Sequence, residues 1–374
     1  MARRGRGDGS VRQRQGGRWE ARLSQAGQRL SAYGRTRREA MAKLVEARAA
    51  VEKGLSAPSD RITVARYLAE WLDRVRPSLH PATYDGYSRH IRLHLVPALG
   101  RLPVSRLSPA DVETMLSALT GSGLSAQTAC HIRATLRRAL HDGERIGLVG
   151  RNAAALAMPP RVRRREVQPL TMEQTRTFLA AVEGDRLWAF YLTAFASGLR
   201  SGELRALAWS DCDLTAGSVT VRRTVHRREG AWVFDDAKTV KSHRTVPIPP
   251  IAVQALLAWR TRQKEERIAA GSEWRGHEWP GLTFTTELGA PIDASVAVRR
   301  FQAALAAAGL PRQRLHDTRH GAASIWFANG VTLRTVSELL GHSGIAITAD
   351  IYAHLAEETK RDAADRMGLA LAAR

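Results

Sequence analysis

Four short stretches in the C-terminal half carry side chains that could do chemistry together. "ASGLRSGELRAL" (196–207) places Arg200 just after a break at Gly198 and Glu203 at the start of a new helix. "DAKTVKSHRTVPI" (236–248) holds Lys238 at a turn, with Lys241 close behind it. "LHDTRHGAA" (315–323) sets His316 and Arg319 three apart, on one face of a helix. "LLGHSGIAITADIYAHL" (339–355) contains His342 and Tyr352. Taken singly, each has an ordinary explanation. Tyr352 could be a core aromatic whose hydroxyl finds a partner, and an arginine after glycine or a lysine in a turn is usually a solvated charge. Taken together they are the set needed to cut a phosphodiester without a metal. Two guanidiniums can hold the non-bridging oxygens and neutralise a five-coordinate phosphorus. A histidine adds a hydrogen bond, a lysine can protonate the departing 5′ oxygen, and a tyrosine can attack. A free tyrosine titrates at about 10, so neighbouring cations must help it lose its proton.

These stretches need a scaffold, and the hydrophobic pattern supplies one. Residues 166–374 read as mostly helical, interrupted over 218–249 by three short antiparallel strands, with Lys238 between the second and third. Residues 61–160 read as four or five helices. In "TVARYLAEWLDRV", Val64, Tyr67, Leu68, Trp71, Leu72 and Val75 share one helical face. Ser108 followed by Pro109 and an acidic first turn marks a helix start. "SAQTACHIRATLRRALHDGERIGLV" is a further amphipathic helix with basic residues on its outer side. "MPPRVRRREVQPLT" (158–171) cannot be a helix interior and reads as a basic linker that would lie against a DNA backbone if its flanking domains grip a duplex. Residues 1–56 alternate at a period of two through Trp19, Ala21 and Leu23 and again at Leu30 and Ala32, then turn helical after a cap at or near Thr36. The expected fold is mainly α with small β elements, in three domains: a three-stranded sheet plus helix (1–56), a helical domain (61–160) and a mixed, mostly helical domain (166–374).

Composition narrows the partner. Among 374 residues, 57 are Lys or Arg against 36 Asp or Glu, a formal charge of +21. With 44% hydrophobic residues the chain folds, so this is not a disordered basic tail, and the excess points to a polyanion. Cys130 and Cys212 lack metal or disulfide spacing. The longest apolar run, within 187–199, is too short to span a bilayer, and "MARRGRGDGS" has no apolar signal region, so a cytosolic protein with no membrane partner is expected.

The motifs "GLRSGEL", "AKTVKSHRTVPI", "HDTRH" and "LLGHSGIAIT" followed by "IYAH", in this order, resemble those of the tyrosine recombinases of the phage integrase family. The resemblance implies that Arg200 and Arg319 are the two catalytic arginines and Lys238 the hairpin lysine. It further implies that His316 and His342 are the two histidines, Tyr352 the nucleophile and Glu203 the supporting acid. Lys241 is the alternative proton donor. One departure is Gly321, where the family often has Thr or Ser. The resemblance is strong over the catalytic section and rests on helix order over 61–160. For residues 1–56 it rests on domain layout, that of an arm-site DNA-binding domain. It implies cleavage through a 3′-phosphotyrosyl link with no cofactor, on double-stranded DNA attachment sites, by four protomers. A host DNA-bending factor and a directionality factor are possible partners under it. A type IB topoisomerase and a catalytically idle DNA-binding regulator on the same fold are the alternatives.

Overall fold

The computed structural model describes residues 10–25, 28–52, 62–162, 168–236 and 243–341, with two short stretches at 367–368 and 371–372. The chain divides into two compact units, 1–165 and 166–374.

The first unit holds two separate hydrophobic cores. Strands β1 (Ser10–Gln13), β2 (Trp19–Gln25) and β3 (Gln28–Gly34) form an antiparallel sheet against α1 (Arg37–Glu52). Alternation decides its faces: Ala21 pairs with Ala32 and Leu23 with Leu30, and all four are buried with Ala40 and Leu44. Thr36 caps the helix by accepting from the Glu39 N–H, as its sequence position implies. The opposite face gathers polar groups. There the Glu20 carboxylate accepts from Arg12, Arg14, Arg22 and Tyr33, and these guanidiniums hold it well below the usual carboxylate range.

The helical part of this unit comprises α2 (Val64–Val75), α3 (Pro81–His90), α4 (Val96–Leu99), α5 (Pro109–Gly121), α6 (Ala126–Arg145) and α7 (Ala153–Leu156). One π-helical turn, Ile91–Leu95, joins α3 to α4. The expected face of α2 is the buried one, through Val64, Tyr67, Leu68, Trp71 and Leu72. The polar tips of its aromatics are satisfied on α6, Tyr67 donating to the Ala139 carbonyl and Trp71 to Asp142 at 2.9 Å. Ser108 and Asp111 form the capping box that starts α5. In the basic linker, residues 163–167 lie outside the described residues.

The second unit is built around α9 (Trp188–Ser197), which is buried on nearly every side. α8 (Met172–Ala181) and α9 bring Phe178, Tyr191 and Phe195 together, and Phe301 joins them from α12 (Ala294–Ala307). α11 (Pro250–Ala270) closes the core with Leu256 and Trp259. After α9 come α10 (Ser201–Arg205) and the strands β4 (Cys212–Asp213), β5 (Ser218–Val221), β6 (Arg223–Arg228), β7 (Ala231–Asp236) and β8 (Arg244–Pro247); α13 (Asp317–Ala328) and α14 (Leu333–Leu340) follow α12. Among the described residues, the expected three strands over 218–249 are therefore four. β5 pairs with β8 in a sheet of order β4-β5-β8, while β6 and β7 form a separate hairpin. The split falls at Arg222, where Arg222 and Arg223 both reach Asp211, at 3.1 and 3.4 Å. Consecutive residues of one regular strand would point to opposite faces.

Candidate active site

The site begins where α9 stops. Gly198 takes a left-handed conformation (φ 60°), and a Cβ there would sit 2.9 Å from Leu340 and 3.3 Å from Trp326. Glycine is needed for both handedness and space. The chain then extends through Arg200 (φ −66°, ψ 147°) and re-enters helix at Ser201. Arg200 donates twice to Glu203 three residues on, from its backbone N–H at 2.9 Å and its guanidinium at 2.7 Å. A Cβ on Gly202 would collide with the Thr224 hydroxyl, so α10 lies flush on β6.

Three guanidiniums meet the last carbonyls of α14. Arg244, the first residue of β8, donates to Leu339 O at 2.7 Å; Arg319, on α13, donates to Leu340 O; Arg200 reaches Gly341 O at 3.4 Å. Those carbonyls have no partner within the helix, and they are the negative end of its dipole, so arginines are the natural groups to hold them. Arg244 also donates to Glu203 at 2.7 Å, and Arg319 to Gly198 O at 2.9 Å. Burial works against a charged Glu203, but the hydrogen bond and charge of Arg244, with those of Arg200, outweigh it and hold the carboxyl below its usual range. Exposure sorts the three arginines: the Arg200 side chain is 40% exposed and that of Arg244 7%, while Arg319 is 2% exposed. Arg200 is thus the one of the three with an open side.

His316 stands at the N-terminal end of α13, its ring 5.7 Å from that of His320 and perpendicular to it. His316 is exposed. The protein packed behind it, and then the Arg319 charge, push its pKa down, which favours a neutral ring. Arg200, Glu203 and Arg319 are therefore brought together around the end of α14, with His316 one helical turn from Arg319. Lys238, Lys241, His342 and Tyr352 lie outside the described residues; Gly341, left-handed at φ 64°, is the last described residue before His342. Arg244 escaped the sequence reading. Nothing in "KSHRTVPI" distinguishes its side chain from the many other basic ones until burial is known.

Residues 168–359 match the Phage integrase family, and residues 63–120 match its N-terminal SAM-like domain. The tyrosine recombinase XerC-like protein of Caldanaerobacter subterraneus is 32% identical over 352 residues, covering 90% of each chain. An integrase of Streptomyces ambofaciens is 32% identical over 376 residues, covering 94% of this chain and 93% of its own. Among solved structures, the Tn1549 transposon integrase in complex with a circular intermediate DNA superposes with a TM-score of 0.70 at 21% identity, covering 82% of this chain and 99% of that one. The lambda integrase tetramer bound to a Holliday junction gives a TM-score of 0.57 at 18% identity, covering 94% and 96%. These two likenesses are of fold. The chain belongs to the phage integrase family, the site-specific tyrosine recombinases that cut and rejoin DNA.

Proposed function

We propose that this recombinase cuts double-stranded attachment sites with Tyr352, acting as a tetramer in the cytosol of its host. The Tyr352 oxygen attacks the phosphorus, the bond to the 5′ oxygen breaks, and a 3′-phosphotyrosyl link with a free 5′ hydroxyl results. The hydroxyl of a partner duplex then attacks that link and releases the tyrosine. Bond energy stays in the covalent intermediate throughout. Arg200 and Arg319 neutralise the phosphate, His316 and His342 donate hydrogen bonds to it, Lys238 protonates the leaving oxygen, and Glu203 orients Arg200. A neutral His316 can still donate through one ring N–H.

The observation that carries this assignment is the gathering of Arg200, Glu203 and Arg319 at the end of α14. The chain leaves that end directly toward His342, with Tyr352 ten residues further on. For residues 1–56 we propose binding to separate arm sites. Its support is the sheet face on which Glu20 gathers three arginines. Residues 61–160 would bind the core site. A host bending protein and a directionality factor complete the proposed partners.

Tyr352→Phe is the direct test, on a nicked duplex that traps the covalent product. The variant should bind DNA as the natural chain does, since one oxygen is lost from a large basic interface, and form no adduct on a denaturing gel. Adduct from the Phe variant would remove Tyr352 from its role. Relaxation of a supercoiled plasmid lacking any attachment site would favour topoisomerase action instead.

A further inference from the structure

We infer that Arg244 is a positioning residue for DNA cleavage: it shares the Glu203 carboxylate with Arg200, leaving Arg200 a net positive charge to offer the phosphate, and it ties β8 to the end of α14. This inference rests on the cleavage chemistry proposed above. The geometry is a three-way junction. Arg244 opens β8, one residue (His243) beyond the 237–242 stretch that carries Lys238 and Lys241 in sequence, and its backbone is fixed by pairing with Val221 of β5. Its planar fork then spans two other elements, with Nη2 on Glu203 at 2.7 Å and Nε on Leu339 O at 2.7 Å. Lysine has one donating centre and cannot reproduce that span.

The charge count explains why such a residue is needed. Glu203 and Arg244 are both nearly sealed from water, at 8% and 7% side-chain exposure. Between them and Arg200 there are two positive charges and one negative. Without Arg244, the buried carboxylate would be left to Arg200 alone, and the pair would be neutral where a phosphate must be bound. Arg244 itself donates to protein groups, so its effect on the phosphate passes through Arg200 and through the position of α14.

The test uses a nicked duplex from the DNA flanking the gene, chosen as one on which the natural full-length chain forms the covalent adduct. Arg244→Ala and Arg244→Lys should bind this duplex within a few-fold of the natural chain. The Ala variant should cleave slower by on the order of 10²-fold, as for loss of one transition-state donor, and the Lys variant, which keeps the charge, should fall between. Two readouts separate positioning from simple damage. A methylphosphonate at the cleaved position removes the negative charge that Arg200 must meet, so the deficit should shrink on that substrate. The double variant Arg244→Ala, Glu203→Gln restores the net charge and should cleave faster than Arg244→Ala alone. Wild-type cleavage rates in both single variants would overturn the inference, as would an equal deficit on both substrates. If Arg244→Ala does not fold, Arg244→Lys with the two substrates decides alone. Absence of any adduct from the natural chain would instead sink the proposed cleavage chemistry, and this inference with it.

Discussion

Arg200 and Arg319 have the same charge but different surroundings, and the difference predicts different sensitivities. Arg319 is buried and donates to the Gly198 and Leu340 carbonyls, so it holds α9, α13 and α14 to one another before any DNA arrives. Arg200 has one side on Glu203 and the other in solvent. The two lysines beyond β7 can be told apart by chemistry. A general acid matters when the leaving oxygen is a poor leaving group, and replacing the 5′-bridging oxygen with sulfur removes that need. Lys238→Ala should cleave ordinary DNA ~10²–10⁴-fold more slowly and recover on the sulfur-bridged substrate. Lys241→Ala should lose affinity and some salt dependence without such recovery. Single-turnover rates on the two substrates check this, and sulfur rescue confined to Lys241→Ala would reverse the assignment.

At the scale of elements, α14 is the part on which the site converges. Its apolar side is anchored by Val336 and Leu340 against Ala323 of α13, and its C-terminal carbonyls are taken by arginines from three other elements. The helix end is thereby held to the start of α10, to α13 and to β8. Gly198 leaves no room for a side chain beside it, since a Cβ there would lie 2.9 Å from Leu340. Gly198→Ala should cost about 1–3 kcal/mol for a left-handed non-glycine residue, and more if Leu340 must shift. Urea unfolding of the full chain measures the cost, and adduct formation should fall along with it. An alanine variant of unchanged stability would show that the close approach of Leu340 is relieved without strain.

At the scale of the molecule, the +21 formal charge is spread along the whole chain, so DNA affinity should come from many phosphate contacts and fall steeply with salt. Deleting residues 1–56 should leave binding to short core sites and weaken recombination on long substrates that carry arm sequences. Equal recombination by the shortened and intact chains on long substrates would show that the Glu20-centred sheet face does something other than bind arm sites. Removal of residues 1–56 should leave the helical core intact, since the sheet core of Ala21, Leu23, Leu30 and Ala32 shares no residue with the helical core around Trp71.

The sequence by itself determined the family and the mainly helical fold. Those features are local, written in motif order, in the apolar stripe of α2, in the alternation through Ala21 and Leu23, and in caps such as Ser108 and Thr36. Tertiary structure alone decided which charges are buried. Arg244 and Arg200 look alike as letters, yet one is sealed against Glu203 and Leu339 O while the other keeps an open side. It also decided the strand count, because the break between β5 and β6 depends on Asp211 drawing two consecutive arginines to one point. Burial and long-range pairing are set by which elements meet, and spacing along a chain does not encode that meeting.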